Sequence, residues 1–293
     1  MSAEEAKYKV AKFVGAHVST AGGVSNAPIN AKTIGARAFA FFTKNQRRWF
    51  DHIYEPEEIN DFKENLKNYG FNSKHIVAHA SYLINLGSPE AKKLALSTKS
   101  LIDECRRCML LGVGSVVVHP GSHLERISED ESMNRIASSI DQTIETTDTV
   151  NILLENTAGQ GSNLGYKLEQ LVYILDKVQN KNRVGVCLDT CHLFASGYDF
   201  RTVEQYEGFF VKFDRMIGMS FLKALHLNDS RGDLGSLIDR HESLGRGKIG
   251  LDAFKLIMQD SRLNDIPLIL ETIDSSLWKQ EITMLQNFSD AQN

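Results

Sequence analysis

A chain of 293 residues and 32.8 kDa, 42% hydrophobic and 24% charged, has room for one large globular domain or two small ones. Its 33 basic and 37 acidic side chains leave a formal charge of −4, which excludes a partner held by overall positive charge. The polar start MSAEEAKYKV lacks a signal-peptide core, four cysteines make no disulfide scaffold, and no apolar run nears the ~18 residues of a membrane span.

These features predict a soluble intracellular protein. Bacterial cytoplasm is the first expectation, with nucleus or mitochondrion as the eukaryotic alternatives.

Short, nearly continuous apolar runs recur along the chain, the pattern of strands buried on both faces. In order they are FVGAHV from Phe13, AFAFFT from Ala38, HIVAHA from His75 and SVVVHP from Ser115. NILLEN from Asn151, VGVCLDT from Val184, KALHLND from Lys223 and PLILET from Pro267 complete the series. Amphipathic stretches lie between them, among them Glu57 to Tyr69, Pro89 to Leu111 and Lys167 to Val178. Ser88 stands where it would cap the second of these, with Pro89 at the first helical position. Eight such units predict an α/β protein, a single (β/α)8 TIM barrel, a fold of ~250 residues. An open doubly wound sheet uses the same units, but no Gly-rich dinucleotide fingerprint follows any strand. With no linker or low-complexity tract, residues 1–293 read as one domain whose body runs from about Phe13 to about Phe288.

The strands end unusually. His79, His119, Glu155, Asp189, His226 and Glu271 fall at or next to the carboxyl end of six runs. A barrel gathers those ends on the face where active sites form. Any one of them is most simply a hydrogen-bonded core residue, but six at the same end of successive strands point to a site. Buried carboxylates and imidazoles need compensating charge. Asp189 is followed at i+3 by His192, and Asp239 and His241 stand two apart, which puts both on one side of an extended segment. Five His, two Asp and two Glu suit Zn2+, or Mn2+ and Fe2+, and are too many for one tetrahedral ion. His17 also ends a strand, on the floor of the expected site, while His52, His75 and His123 read as structural or exposed. Cys105 and Cys108 share a helical stripe with Leu94 and Leu101, Cys187 lies inside the apolar strand VGVCLD and Cys191 neighbours the candidate ligand His192; all four read as buried small hydrophobes.

Two or three divalent ions form a clamp for displacement at phosphorus. The residues alone therefore point to a multinuclear metallohydrolase acting on phosphoesters. A divalent-metal sugar isomerase or epimerase on the same barrel is the first rival, and a damage-binding protein without catalysis the second. Lys44, Arg47, Arg48 and Trp49 make a basic, aromatic loop that on its own is a solvated surface. GRGKIG, from Gly245, offers backbone N–H groups and Arg246 or Lys248 to a phosphate, with a plain flexible loop as the equal alternative.

The segments GAHVSTAGG, FTKNQRRW, AHASYLINLG, VVHPGSH, LLENTAGQG, VCLDTCHLFASGYD, HLNDSRGDLGS, DRHESLGRGKIG and LILET, from Gly15 to Thr272, together resemble the endonuclease IV family of trinuclear-zinc apurinic/apyrimidinic endonucleases. The resemblance implies hydrolysis of the phosphodiester 5′ to an abasic site in duplex DNA, leaving a 3′-hydroxyl, and removal of 3′-blocking groups in base excision repair. It assigns His79 and His119 to a first ion, bridged by Glu155 to a second that Asp189, His226 and Glu271 complete. His192, Asp239 and His241 hold a third. A hydroxide bridging the first two ions is then the nucleophile, oriented by Glu155 and Glu271 as catalytic carboxylates. Arg47, Tyr82 and Leu83 enter the damaged duplex. The implied partner is double-stranded DNA, with no membrane, no nucleotide cofactor and a monomeric enzyme.

Overall fold

Apolar strands of four to six residues, rich in Val, Leu, Ile, Phe and Ala, pair in parallel and close on themselves. The computed structural model describes residues 12–290, so the polar amino-terminal stretch and the last three residues read above lie outside it. The strands are β1 (Phe13–His17), β2 (Ala38–Phe42), β3 (Ile76–His79), β4 (Ser115–Val118), β5 (Asn151–Glu155), β6 (Val184–Asp189) and β7 (Leu222–Leu227). After them come β8 (Asp229–Ser230) and β9 (His241–Glu242), which form their own antiparallel pair, and β10 (Pro267–Leu270). The closed order is β1-β10-β7-β6-β5-β4-β3-β2. The TIM barrel expected from the sequence is present with all eight of its strands.

Helices α1 (Asn26–Thr33), α2 (Pro56–Tyr69), α3 (Ala91–Leu111), α4 (Glu129–Thr146) and α5 (Leu168–Lys177) occupy the first connections. They continue with α6 (Thr190–Ala195), α7 (Val203–Met216), α8 (Leu251–Gln259) and α9 (Trp278–Asp290). Helix α2 opens with a reciprocal capping box between Glu55 and Glu58 and closes on Gly70 at φ 73°. Helix α3 begins two residues later than the sequence suggests. The Ser88 hydroxyl accepts from Glu90 N (3.3 Å) and its carbonyl accepts from Arg135 of α4 (2.8 Å), which holds the Ser88–Glu90 link outside the helix. None of the helices among the described residues is long and apolar enough to cross a membrane.

Strand alternation builds the interior. Ala38, Ala40, Val77, Val117, Leu153, Cys187, Ala224 and Ile269 form one apolar cluster, distinct from the larger core between strands and helices. Two residues beyond Gly15 comes His17, and two beyond Ala40 comes Phe42. The same step from the other strands gives His79, His119, Glu155, Asp189, His226 and Glu271. A period of two therefore puts these side chains in the next layer, above the apolar plug. Gly15 is required where β1 meets β2, because a Cβ there would sit 1.6 Å from the Ala38 carbonyl oxygen. All four cysteines are buried, and burial pushes the Cys105 thiol up to about 12.

Candidate metal centre

Among the described residues, donor atoms fall into five groups in that layer and the loops above it, and three of these take in nine residues. Glu155, at the end of β5, is fully buried. Its Oε2 faces His79 Nε2 (3.1 Å) and His119 Nε2 (3.0 Å), and its Oε1 faces His226 Nδ1 (2.8 Å). The second group adds Asp189 and Glu271, with Glu271 Oε2 3.2 Å from His226 Nδ1. The third unites His192, Asp239 and His241, where Asp239 lies 3.2 Å from His192 Nε2 and 3.4 Å from His241 Nε2. Within each group the candidate donor atoms all lie within 4.8 Å of one another. The fold thus brings together all nine residues singled out in the sequence. Cys191, the neighbour of His192, also comes within that distance of Asp189 and His241. Burial pushes its thiol upward, which keeps it protonated.

Neighbouring groups orient the donors. His79 Nδ1 donates to Ala80 O (2.8 Å), His192 Nδ1 to Asn156 O (2.9 Å) and His241 Nδ1 to Glu271 O (3.2 Å). A carbonyl only accepts, so each bond fixes the proton on Nδ1 and turns the Nε2 lone pair inward. Asp189 caps α6 by accepting from His192 N (2.8 Å), which explains the i+3 spacing. Its other oxygen accepts from Asn228 Nδ2 (2.6 Å), and its own N–H donates to Asn156 Oδ1 (2.7 Å). The sequence reading missed Asn156 and Asn228, although each follows a strand-end donor within two residues. His17 Nδ1 meets Glu271 Oε1 at 2.7 Å, on the floor of the site as expected.

Burial opposes charge here, and the partners outweigh it. Facing imidazoles, His226 foremost, hold the Glu155 and Glu271 carboxyls well below the usual carboxylate range against the upward push of burial. Burial likewise opposes protonation of His192, but Asp189 and Asp239 lift it to about 10. Asp239, beside His192, falls to about 2 despite its own burial. The buried Nε2 atoms of His192 and His241 have no hydrogen-bond partner, and both face Asp239. Orphaned imidazole nitrogens converging with carboxylates fit divalent metal ions of the borderline kind.

Above the centre opens a cleft of about 380 Å³ lined by His79, His119, His192, Asp239, His241 and Glu271. Tyr82, 64% exposed, stands on one rim, and Arg231, Arg240 and the exposed Ile273 also border the cleft. Arg47 is exposed on the loop after β2, and Leu83 is half-buried beside Tyr82. Neither lines this cleft. Lys44 departs from the basic-loop expectation: it is buried and paired with Glu104 of α3. Trp49 is half-buried and packs on the core. The GRGKIG segment also differs, because the N–H groups of Gly245, Gly247 and Ile249 donate to the buried Asp229 carboxylate. An anion of the protein itself occupies the nest.

A closed parallel barrel bearing this donor set belongs to a known class: residues 29–288 match the family of xylose isomerase-like TIM barrels. Within that class, the chain is 52% identical to a probable endonuclease 4 of Chlorobium phaeobacteroides, over 96% of its own length and 99% of the relative's. It is also 52% identical to a probable endonuclease 4 of Campylobacter hominis, over 94% and 98% respectively. The crystal structure of endonuclease IV from Thermus thermophilus superposes with a TM-score of 0.83 at 34% identity, covering 95% of this chain and 99% of that one. The chain belongs to the endonuclease IV family and is a metal-dependent, DNA-cleaving hydrolase. A D-tagatose 3-epimerase-like protein, at 19% identity and a TM-score of 0.71, shares the fold alone.

Proposed function

We propose that the protein is a zinc-dependent apurinic/apyrimidinic endonuclease that hydrolyses the phosphodiester 5′ to an abasic site in duplex DNA. It leaves a 3′-hydroxyl and removes 3′-blocking groups in base excision repair. The observation that carries this reading is the set of three adjacent donor groups at the carboxyl end of the barrel, the first two sharing Glu155. His79 and His119 would hold one ion with Glu155; Asp189, His226 and Glu271 a second; His192, Asp239 and His241 a third. Zn2+ fits the donors, with Mn2+ or Fe2+ as substitutes. Bound there, the ions would supply a water of lowered pKa and neutralise charge on the phosphate and departing oxygen.

The chain's own groups do the rest. Glu155, buried, and Glu271, half-buried at the cleft, are both anionic and orient the attacking water. Asn228 and the His192 N–H keep the Asp189 carboxylate from rotating, Asn156 anchors its main chain, and His17 steadies Glu271. Arg47, Tyr82 and Leu83 would enter the duplex beside the lesion, where a missing base lowers the cost of unstacking. Every group of the centre comes from one chain, which supports a monomer working as one catalytic unit. A sugar isomerase on this barrel would use two ions, and the His192–Asp239–His241 group would then have no task. The test is incubation with a duplex carrying one abasic analogue, before and after prolonged chelation. A cut on the 5′ side, lost with the metal and restored by Zn2+, is the expected result; a 3′-side cut, or activity on free sugars alone, would contradict it.

A further inference from the structure

Helix α3 carries a buried polar stripe with no part in the metal centre. Ser100, Asp103, Glu104 and Arg107 follow the spacing of one helix face, and Ser100, Glu104 and Arg107 are at most 3% exposed. Each reaches a loop. Glu104 accepts from Thr43 Oγ1 and Lys44 Nζ after β2, and from Ser81 N (3.2 Å) after β3. Ser100 Oγ donates to Trp49 O (3.0 Å), and Arg107 Nη2 donates to Asp51 O (3.0 Å) and His52 O (2.7 Å). Asp103 steadies Arg107 through Nε (2.9 Å). Ser81 completes the circuit: its hydroxyl donates to Gln46 O (2.8 Å) and accepts from Leu83 N (3.2 Å).

Holding α3 against the barrel does not call for a buried ion pair, since apolar residues of similar volume do that at no loss of stability. The pair does something an apolar contact would not. One oxygen, Glu104 Oε1, receives both Lys44 from one loop and Ser81 from the other, so neither loop can shift without the other. Gln46 adjoins Arg47, and Ser81 adjoins Tyr82.

We propose that Glu104 is a positioning residue for lesion recognition: its carboxylate locks the segment bearing Arg47 to the segment bearing Tyr82 and Leu83, so that the two meet the duplex as one preset unit. This rests on reading Arg47, Tyr82 and Leu83 as duplex contacts. Misplacing a recognition group by about 1 Å costs on the order of tenfold to a hundredfold.

Two double variants separate the tie from the charge. Lys44→Met with Glu104→Leu removes both charges and the tie. Lys44→Met with Glu104→Gln removes both charges but leaves an amide whose oxygen accepts from Ser81 N and whose NH2 donates to Thr43 Oγ1, so the two loops stay joined. The readouts are KM and kcat on an abasic-analogue duplex, the affinity ratio for abasic over intact duplex, zinc content, and amide exchange at Ser81 and Leu83. For the Leu variant the inference expects KM to rise and the ratio to fall by about tenfold, with kcat and zinc content held and both amides exchanging faster. The Gln variant should recover most of the loss. Wild-type discrimination in the Leu variant, or equal loss in both, would overturn it. If the Leu variant fails to fold, adding Thr43→Val to the Gln pair, which cuts residue 104 from the loop after β2 while keeping the Ser81 N–H bond, carries the same expectation. Tyr82→Ala and Arg47→Ala run alongside. If they leave the ratio intact, the reading of the loops fails and the inference with it; if they lower it and the Glu104 variants do not, the inference alone fails.

Discussion

Asp229 offers the sharpest test of how the loop above the barrel is held. Its carboxylate is fully buried and binds four main-chain N–H groups. Oδ1 accepts from Ser230 (2.8 Å) and Ile249 (2.9 Å), and Oδ2 from Gly245 (2.9 Å) and Gly247 (3.1 Å). Asp229→Asn keeps the volume and one oxygen, but turns the other into an NH2 group aimed at two donors. Asparagine should retain the pair containing Ile249, which is buried, and sacrifice Gly245 and Gly247. A lost hydrogen bond to a charged group costs about 1.5–3 kcal/mol. Gly245 is exposed and its amide can turn to water, so the expected destabilisation is about 2–4 kcal/mol rather than the full sum. Urea unfolding should show the midpoint falling with the slope unchanged. Because Ser230 pairs with His241 across β8 and β9, zinc held by the His192, Asp239 and His241 group should also pass to a chelator more readily. A loss under about 0.5 kcal/mol, with amide exchange at Gly247 and Ile249 unaltered, would refute the account.

Three further outcomes are expected. Glu155→Gln takes a charge from the carboxylate that faces His79, His119 and His226, and single-turnover incision should drop at least ~10³-fold while duplex affinity changes little; retained incision would remove Glu155 from the centre. Affinity for abasic duplex should fall steeply between about 50 and 200 mM salt, to the extent that phosphates are neutralised, and a flat response would exclude a duplex substrate. In metal-free protein the raised His192 contributes stability that is complete below its ordinary value near 6.5 and is lost as pH climbs through about 10. Zinc must displace that proton, so its affinity should strengthen from about pH 6 to 9 with proton release, and chelator competition giving a constant affinity would contradict the pairing with Asp189 and Asp239.

The barrel was legible because each strand is an apolar run that the sequence interrupts with turns, and strands buried on both faces look that way. The layer of donors was legible for a related reason: alternation carries the inward face from Val77 to His79, from Leu153 to Glu155 and from Ile269 to Glu271. Other features left no local trace. Two-residue strands such as β8 and β9 have no periodicity to read. Lys44 looked like a surface cation because its partner Glu104 is 60 residues away. The GRGKIG amides looked available because a sequence displays donors without naming their acceptor, Asp229. Ser88 has the right chemistry for a helix cap, yet α4 claims its carbonyl and delays the helix.

The inward layer of imidazoles and carboxylates draws on β1, β3, β4, β5, β6, β7 and β10, and β10 is both the last strand made and the one that seals against β1. A ribosome-bound chain lacking Glu271 has no finished centre, so cutting power arrives only when the ring shuts. Parting β1 from β10 would likewise separate His17 from Glu271 and undo the centre without touching any of the other six strands.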